Sequence, residues 1–209
     1  LFDDTQVQND ACRKCDWGRS SWDVRNGWVT NLIYDLPVGK GRKFAGNANK
    51  VTQAVLGGWQ AGGIVAFRSG PPIPIVISSD NANVGGFGIG LSQRPDVVSG
   101  TNPALPSGER TLGRWFNTDA FTLAAPYTFG SFHRNVLDGP GEKSFDFSLF
   151  KRFNFTESRY LEFRSEFFNL LNHPNFALPQ STYGVDGFGQ IFAQQNDPRQ
   201  IQFALKLYY

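Results

Sequence analysis

Two cysteines near the amino end, Cys12 and Cys15, form the motif C-R-K-C and are the only cysteines in the sequence. A local disulfide or a pair of free thiols, in an exposed loop of an exported protein, is the simplest interpretation of this spacing. A redox-active CxxC is less favoured, because no alternation of strands and helices surrounds the motif. A structural zinc site is also less favoured. It requires about four ligands, and His133 and His173 are the only histidines that could join the two thiols.

Other residues that could do chemistry are not arranged for it. His173 lies in the stretch EFFNLLNHPNF (residues 166–176), where its neighbours Asn, Pro and Asn favour a turn rather than a ligand site. The glycine-rich stretch VGGFGIG (residues 84–90) lacks the Gly-Lys-Ser/Thr of a phosphate loop. The spacing of serine, histidine and acidic residues indicates no catalytic triad. The sequence therefore predicts a protein that is not an enzyme and holds no cofactor and no metal.

Composition narrows the class of protein. The 209 residues include 23 glycines, 12 prolines and 20 phenylalanines, which is typical of strands and loops rather than of a helical bundle. A net charge of +2 without a run of Lys or Arg gives no reason to expect a nucleic-acid partner. The apolar stretches are too short for a transmembrane helix, but a transmembrane β-strand is not excluded. Because methionine and a signal peptide are absent, we expect a processed product or a piece of a longer chain.

Five segments alternate between apolar and polar residues with the period of a β-strand. They are residues 26–36, 58–70, 144–155, 159–171 and 199–209. The short turn 156–158 predicts that the third and fourth segments form an antiparallel hairpin. The connection 71–143 is long and polar, and such a length is ordinary on the outer side of a membrane barrel, where short turns lie on the other side. The predicted fold is an all-β, antiparallel up-and-down meander of a transmembrane β-barrel with long extracellular loops.

Several stretches together resemble the carboxyl-terminal part of TonB-dependent outer-membrane receptors. The resemblance is to the Oar-like subfamily, whose members often carry a carboxypeptidase-regulatory-like domain. It covers nearly all of residues 20–209 and is carried, in order, by YDLPVGKGRKF, GGWQAGGIVAFRSGPPIPI, RWFNTDAF, GPGEKSFDFSLFKRF, EFRSEFFNLLNHPNF and PRQIQFALKLYY. It implies a 22-stranded barrel in the bacterial outer membrane, represented here by its last five strands. It also implies a non-catalytic role in substrate uptake or surface binding.

The strand pattern predicts a layout, and the resemblance implies a set of partners. Residues 1–25 form an extracellular loop with Cys12 and Cys15, residues 26–70 two strands with a periplasmic connector, residues 71–143 a long extracellular loop, and residues 144–209 three final strands. The partners are the remaining barrel strands, the plug inside the barrel, outer-membrane lipid and the barrel-assembly machinery. TonB would engage only through amino-terminal parts outside this sequence. The insertion signal read by the assembly machinery falls on Phe203, Leu205, Leu207 and Tyr209, where phenylalanine is more usual at the last position. The cysteine pair is not part of the family pattern.

Charged residues of the predicted hairpin fall on the face opposite its apolar one. They are Asp146, Arg152, Glu162, Arg164 and Glu166. We interpret them as a cross-strand ladder facing a water-filled lumen, with contact to the plug or to a substrate path as the alternative. On the apolar face, Lys151 falls near the membrane edge, where a lysine can snorkel to water.

Aromatic residues and the apolar faces leave further alternatives open. The tryptophans mostly flank predicted strands, which suits an interfacial girdle, whereas Trp115, Phe116 and Phe121 on the long loop could meet a ligand instead. A secreted β-sandwich that binds glycans would need the apolar faces to pack on each other. A structural subunit of a larger surface assembly is a third interpretation. Five strands cannot close a barrel, and open edges in lipid cost several kcal/mol for each unpaired backbone group.

Overall fold

Five antiparallel strands pair in the order in which they occur in the chain. They are β1 (Gly27–Asp35), β2 (Trp59–Arg68), β3 (Glu142–Asn154), β4 (Tyr160–Phe168) and β5 (Gln200–Tyr208), and the short helix α1 (Lys50–Leu56) connects β1 to β2. Each strand pairs with the next, so the sheet is an up-and-down meander. The computed structural model, which describes residues 7–85, 93–156 and 158–209, thus confirms the predicted all-β antiparallel class.

The chain divides into two compact units. The sheet unit contains the five strands and comprises Asn26–Arg68, Glu142–Pro174 and Asn196–Tyr209; the loop unit comprises Leu1–Arg25, Ser69–Gly141 and Asn175–Gln195. Among the residues that the structure describes, no helix has the length and apolar character needed to cross a membrane.

The strand register places residues of like character on the same face of the sheet. Phe167 lies opposite Phe147 on β3 and Ile201 on β5, and we name the face that carries these three residues the outer face. On the other face, the inner face, Glu166 lies opposite Ser148 and Gln202. A shift of one residue would exchange the two faces, so the apolar pattern fixes this register.

The fourth strand ends earlier than the sequence predicts. The prediction extends it to Leu171, whereas β4 ends at Phe168. Asn169 and Asn172 adopt left-handed φ angles of 50° and 51°, which interrupt an extended strand and which asparagine tolerates better than most residues. At the other end of the hairpin, the Phe155 amide donates to the Arg159 carbonyl at 2.9 Å; Glu157 in the predicted turn lies outside the described residues.

The loop unit has a hydrophobic core of its own. Its members are Ile73, Ile75, Phe116, Ala120, Phe121, Phe132 and Leu137. Phe116 and Phe121 are only 1% and 5% exposed and pack edge to face, with ring centroids 5.8 Å apart. The alternative that these two rings meet a ligand is therefore wrong, because neither ring is accessible. Their burial instead stabilises the core of the loop unit by about 1.5–3 kcal/mol for each ring. Most of the stretch VGGFGIG lies outside the described residues.

Short elements hold the loop unit together. Pro72–Ile73 pairs with Leu137–Asp138, Val76–Ile77 with Thr182–Tyr183, and Asp96–Val97 with Phe121–Thr122. Single 3-10 turns span Arg13–Asp16, Ser107–Glu109 and Thr118–Ala120. The second of these pairings joins residues from two connections, 69–141 and 175–195, that sequence reasoning treats separately.

Candidate membrane-facing sheet and lumenal charge cluster

The outer face of the sheet is apolar along its middle. Its side chains include Leu32, Val65, Phe147, Phe163, Phe203 and Leu205. Within the five strands, all fully described, the only charged residues on this face are Lys143 and Lys151, one towards each end. Large apolar side chains stay uncovered, since Phe203 and Leu205 are 66% and 67% exposed. Such a continuous apolar surface indicates an interaction site or contact with lipid.

Aromatic rings border the outer face at both ends. At one end Trp28 stacks on Phe67, with ring centroids 5.5 Å apart. At the other end Trp59 meets the edge of Phe163 at 6.3 Å. Trp59 and Phe67 are eight residues apart on β2, which is about 27 Å along a strand and roughly 20 Å across a membrane at a barrel strand's tilt. That distance is close to the apolar band of an outer-membrane barrel, about 25 Å.

Two polar residues of the outer face have their hydrogen bonds satisfied. Ser165 is buried, and its hydroxyl donates to the Leu149 carbonyl at 3.3 Å. Lys151 is 3% exposed, and its Nζ donates to the carbonyls of Val55, at 3.1 Å, and of Gly57. The expectation that Lys151 snorkels to water is therefore wrong. It binds carbonyl groups at the carboxyl end of α1, where a helix leaves its last carbonyls without partners and favours a cation.

The inner face carries a compact cluster of three charges. Glu162 is almost fully buried, and its Oε2 accepts a hydrogen bond from Arg152 Nε at 2.9 Å while its Oε1 accepts one from Arg164 Nε at 2.5 Å. The guanidinium of Arg152 lies 5.2 Å from the ring centre of Tyr160, and that of Arg164 lies 5.3 Å from the ring centre of Phe150. The structure thus brings together three of the five predicted ladder residues.

The other two ladder residues lie apart from this cluster. Glu166 faces Ser148 and Gln202 across the strands. Asp146 Oδ1 accepts a hydrogen bond from the Asn169 amide at 2.8 Å. Asp146 therefore stabilises the turn after β4, because it satisfies an amide that the strand ladder no longer uses.

That turn explains the role of the stretch around His173. The His173 amide donates to Asn169 Oδ1 at 2.9 Å, and its carbonyl accepts from the side chains of Asn169 and Asn196. The Arg199 amide donates to Asn172 Oδ1 at 3.0 Å. The backbone of His173 is thus part of a hydrogen-bonded turn that joins the ends of β4 and β5.

Sequence reasoning missed an apolar patch on the inner face. Val29 and Ile33 of β1 and Ile64 of β2 lie on this face and are 58%, 65% and 44% exposed. The small residues Gly62 and Ala66 lie opposite Ile33 and Val29 and leave the larger side chains uncovered. The signal is present in the sequence, because β1 has apolar residues on both of its faces.

The last strand has the predicted alternation. Phe203, Leu205 and Leu207 lie on the outer face, and Tyr209 follows the strand with 97% of its surface exposed. On the inner face, Tyr208 stacks on Tyr160, with ring centroids 4.3 Å apart. β5 lies at one end of the sheet order, with β4 as its neighbour.

The cysteine pair belongs to the loop unit. Cys12 and Cys15 form a disulfide, and the Cys15 carbonyl accepts a hydrogen bond from Arg94 Nη2 at 3.1 Å. Arg94 also forms a buried ion pair with Asp16, at 2.5 Å, and Asp16 accepts from the Gln8 amide at 3.0 Å. These contacts fix the amino-terminal segment to the unit and do not resemble a redox or metal site.

Small-molecule sites are not evident in the parts of the chain that the structure describes. No group of three or more His, Cys, Asp or Glu there could hold a metal ion. A cavity of about 40 Å³ in the loop unit is bordered by Arg110, Trp115 and Asp138. It has room for a few water molecules and is far smaller than ligand pockets of about 300–1,000 Å³.

A five-stranded antiparallel meander with an apolar outer face and a charge cluster on its inner face is consistent with part of the wall of a membrane β-barrel. The protein-family model described as "Outer membrane beta barrel domain" matches residues 2–202. The chain therefore belongs to this family, and the protein is located in the outer membrane, as the sequence predicts. This location excludes the secreted β-sandwich. A search of curated proteins and a search of solved structures found no match.

Proposed function

We propose that the chain forms part of the barrel of a TonB-dependent receptor, which takes up or binds a ligand at the cell surface without catalysing a reaction. The ordered motifs of the sequence support the subfamily, and the meander and family membership are consistent with it. The sheet would supply the last strands of the barrel, and residues 71–143 would form a long extracellular loop.

The apolar patch on the inner face is the observation that carries this proposal. The interior of an open, water-filled barrel is polar, yet Val29, Ile33 and Ile64 present large exposed apolar surface there. A protein segment inside the barrel would cover this patch, and the charges of Arg152, Glu162 and Arg164, on β3 and β4 of the same face, could pair with its polar groups. A plug domain is such a segment, and it distinguishes a gated receptor from an open pore.

The remaining partners follow from the same proposal. Further barrel strands would pair with the free edges of β1 and β5, because unpaired backbone groups in lipid cost several kcal/mol each. The barrel-assembly machinery would read the alternation of Phe203, Leu205 and Leu207 with its terminal Tyr209. TonB would act through segments outside this sequence.

One observation favours a second role, as a structural subunit of a surface assembly. Trp17, Trp22 and Tyr127 of the loop unit are 75%, 77% and 76% exposed. Exposed aromatic residues with large rigid surfaces are common at protein interfaces. They suit contact with a neighbouring surface protein as well as contact with a ligand.

Photo-crosslinking at two adjacent positions separates these roles. A photoreactive residue replaces either Ile33 on the inner face or Leu32 on the outer face, which are both 65% exposed. In outer membranes that contain the complete protein, we expect Ile33 to crosslink to a protein segment of the same polypeptide, identified by mass spectrometry, and Leu32 to lipid. An inner position that crosslinks to no protein would overturn the plugged receptor and leave the structural subunit.

A further inference from the structure

We infer that the connection between β1 and β2 is a docking surface for anionic phospholipid headgroups at the edge of the membrane. This connection comprises residues 36–58 and is named the basic connector. The inference depends on the membrane location of the sheet and not on transport, so it stands or falls separately from the receptor proposal.

The basic connector has a strong excess of positive charge. It contains Lys40, Arg42, Lys43 and Lys50 and no acidic residue. All four are exposed. Arg42 lies 3.4 Å from Asp35 at the end of β1, in an ion pair whose two side chains are about half exposed; such a pair contributes little and leaves the cation accessible.

Three of these cations lie on one tight turn. A bridge between Val38 and Phe44 closes the turn, and the Arg42 amide donates to the Gly39 carbonyl at 3.0 Å. Gly39 has a φ of 124° and Gly41 a φ of 73°, which only glycine adopts at little cost. The closed turn thus carries Lys40, Arg42 and Lys43 together on one short segment. Such a group of cations can bind several phosphate groups at once.

Helix α1 adds an apolar stripe beside the basic turn. Val51 and Val55 lie one helical turn apart, on the same side of the helix, and are 74% and 59% exposed. Gln53 fixes the helix to the turn, because its Nε2 donates to the Ala45 carbonyl at 2.5 Å. Phe44, next to Lys43, is also 53% exposed. Exposed apolar residues next to basic ones are typical of segments that lie in a membrane interface.

The contacts of α1 place it at the outer face of the sheet. Its Val55 carbonyl accepts hydrogen bonds from Trp59 Nε1, at 2.9 Å, and from Lys151 Nζ, at 3.1 Å. Both donors lie on the apolar outer face, at the end where Trp59 meets Phe163. The connector is therefore continuous with the outer face at the end bordered by Trp59 and Phe163. Aromatic belts of membrane barrels lie at the level of the headgroups, so we expect the connector to lie there.

The charge of the connector and its position together favour anionic phospholipid as the ligand. Basic residues next to an anionic membrane surface each contribute about 1 kcal/mol of attraction, while the valines and Phe44 can enter the acyl boundary. A soluble acidic protein would use the charges but would leave the apolar stripe without a role. Anionic phospholipid satisfies both features.

Hydrogen exchange of the reconstituted protein tests this inference. The complete protein is placed in vesicles of phosphatidylcholine alone or with phosphatidylglycerol, and exchange of residues 40–56 is followed by mass spectrometry. We expect slower exchange with phosphatidylglycerol, and Lys40→Gln with Lys43→Gln should remove most of that difference. At about 1 kcal/mol per basic residue the attraction corresponds to roughly fivefold per lysine lost.

Controls make the outcome decisive. Arg13→Gln with Lys14→Gln, two exposed cations of the loop unit, should leave the lipid dependence unchanged. Equal exchange in both lipids would overturn the inference. So would an effect that inorganic phosphate at millimolar concentration reproduces in phosphatidylcholine vesicles, because the site would then bind free phosphate rather than a lipid surface.

Discussion

Replacing Glu162 with glutamine removes the common acceptor of two arginines on the inner face. The carboxylate is 3% exposed, with Arg164 Nε at 2.5 Å and Arg152 Nε at 2.9 Å. Glutamine has the same shape but one oxygen, so at least one of these hydrogen bonds is lost and both guanidinium groups lose their counter-charge. A hydrogen bond to a charged group contributes about 1.5–3 kcal/mol. Because the Arg152 side chain is 61% exposed, water replaces much of its share, and we expect E162Q to lower the free energy of unfolding by about 2–3 kcal/mol.

Urea unfolding of the complete protein in phospholipid vesicles, followed by tryptophan fluorescence, measures this loss. E166Q is the matched control, since Glu166 lies on the same strand and face but opposite Ser148 and Gln202, and should change stability by less than about 0.5 kcal/mol. Adding R164Q to E162Q should then cost less than R164Q alone, because the pair is coupled. If E162Q and E166Q unfold at the same urea concentration, the charge cluster contributes nothing to stability and the prediction is wrong.

Three further predictions concern the loop unit and the turn after β4. Arg94→Met leaves the Asp16 carboxylate buried without its guanidinium and should destabilise the loop unit by about 3–5 kcal/mol; an unchanged rate of cleavage by external protease would contradict this. Asn169→Ala removes side-chain hydrogen bonds and a residue suited to positive φ, so the free energy of unfolding in urea should fall by roughly 1–2 kcal/mol. Asn169→Gly restores the tolerance of positive φ but not the hydrogen bonds, so it should recover only part of that loss. The pKa of the Asp80 carboxyl is lowered from 3.8, chiefly because the Gly85 amide donates to it; protection of residues 80–85 from hydrogen exchange should therefore be complete above about pH 4 and lost as the pH falls through the lowered pKa, and a pH-independent protection would argue against it.

Period-two alternation located the strands because each face of the sheet meets a different environment. In β5 the alternation of Phe203, Leu205 and Leu207 with small or polar neighbours sufficed to define both the strand and its outer face. The end of β4 could not be located in this way. It depends on left-handed asparagines and on the Asp146 carboxylate, which belongs to another strand, and no local pattern shows that contact.

The loop unit shows the limit of local pattern in another way. Phe116 and Phe121 occur in a polar, glycine-rich stretch, so their local pattern predicts exposure. Their burial depends on distant residues of the same core, such as Ile73, Ile75 and Tyr183. The same holds for Lys151, whose partners are carbonyl groups of α1. A lysine on an apolar face predicts some compensation, but which atoms provide it depends on how the connection folds back on the sheet.

Labelling of single cysteines along β5 tests the membrane placement of the sheet most directly. In outer membranes that contain the complete protein, cysteines at Gln202, Ala204 and Lys206 should react with a small water-soluble thiol reagent, whereas cysteines at Phe203 and Leu205 should be protected by lipid. The alternation should disappear when the membrane is dissolved in denaturant. Equal labelling at all five positions, or reaction at Phe203 and Leu205 alone, would contradict an outer face in contact with lipid.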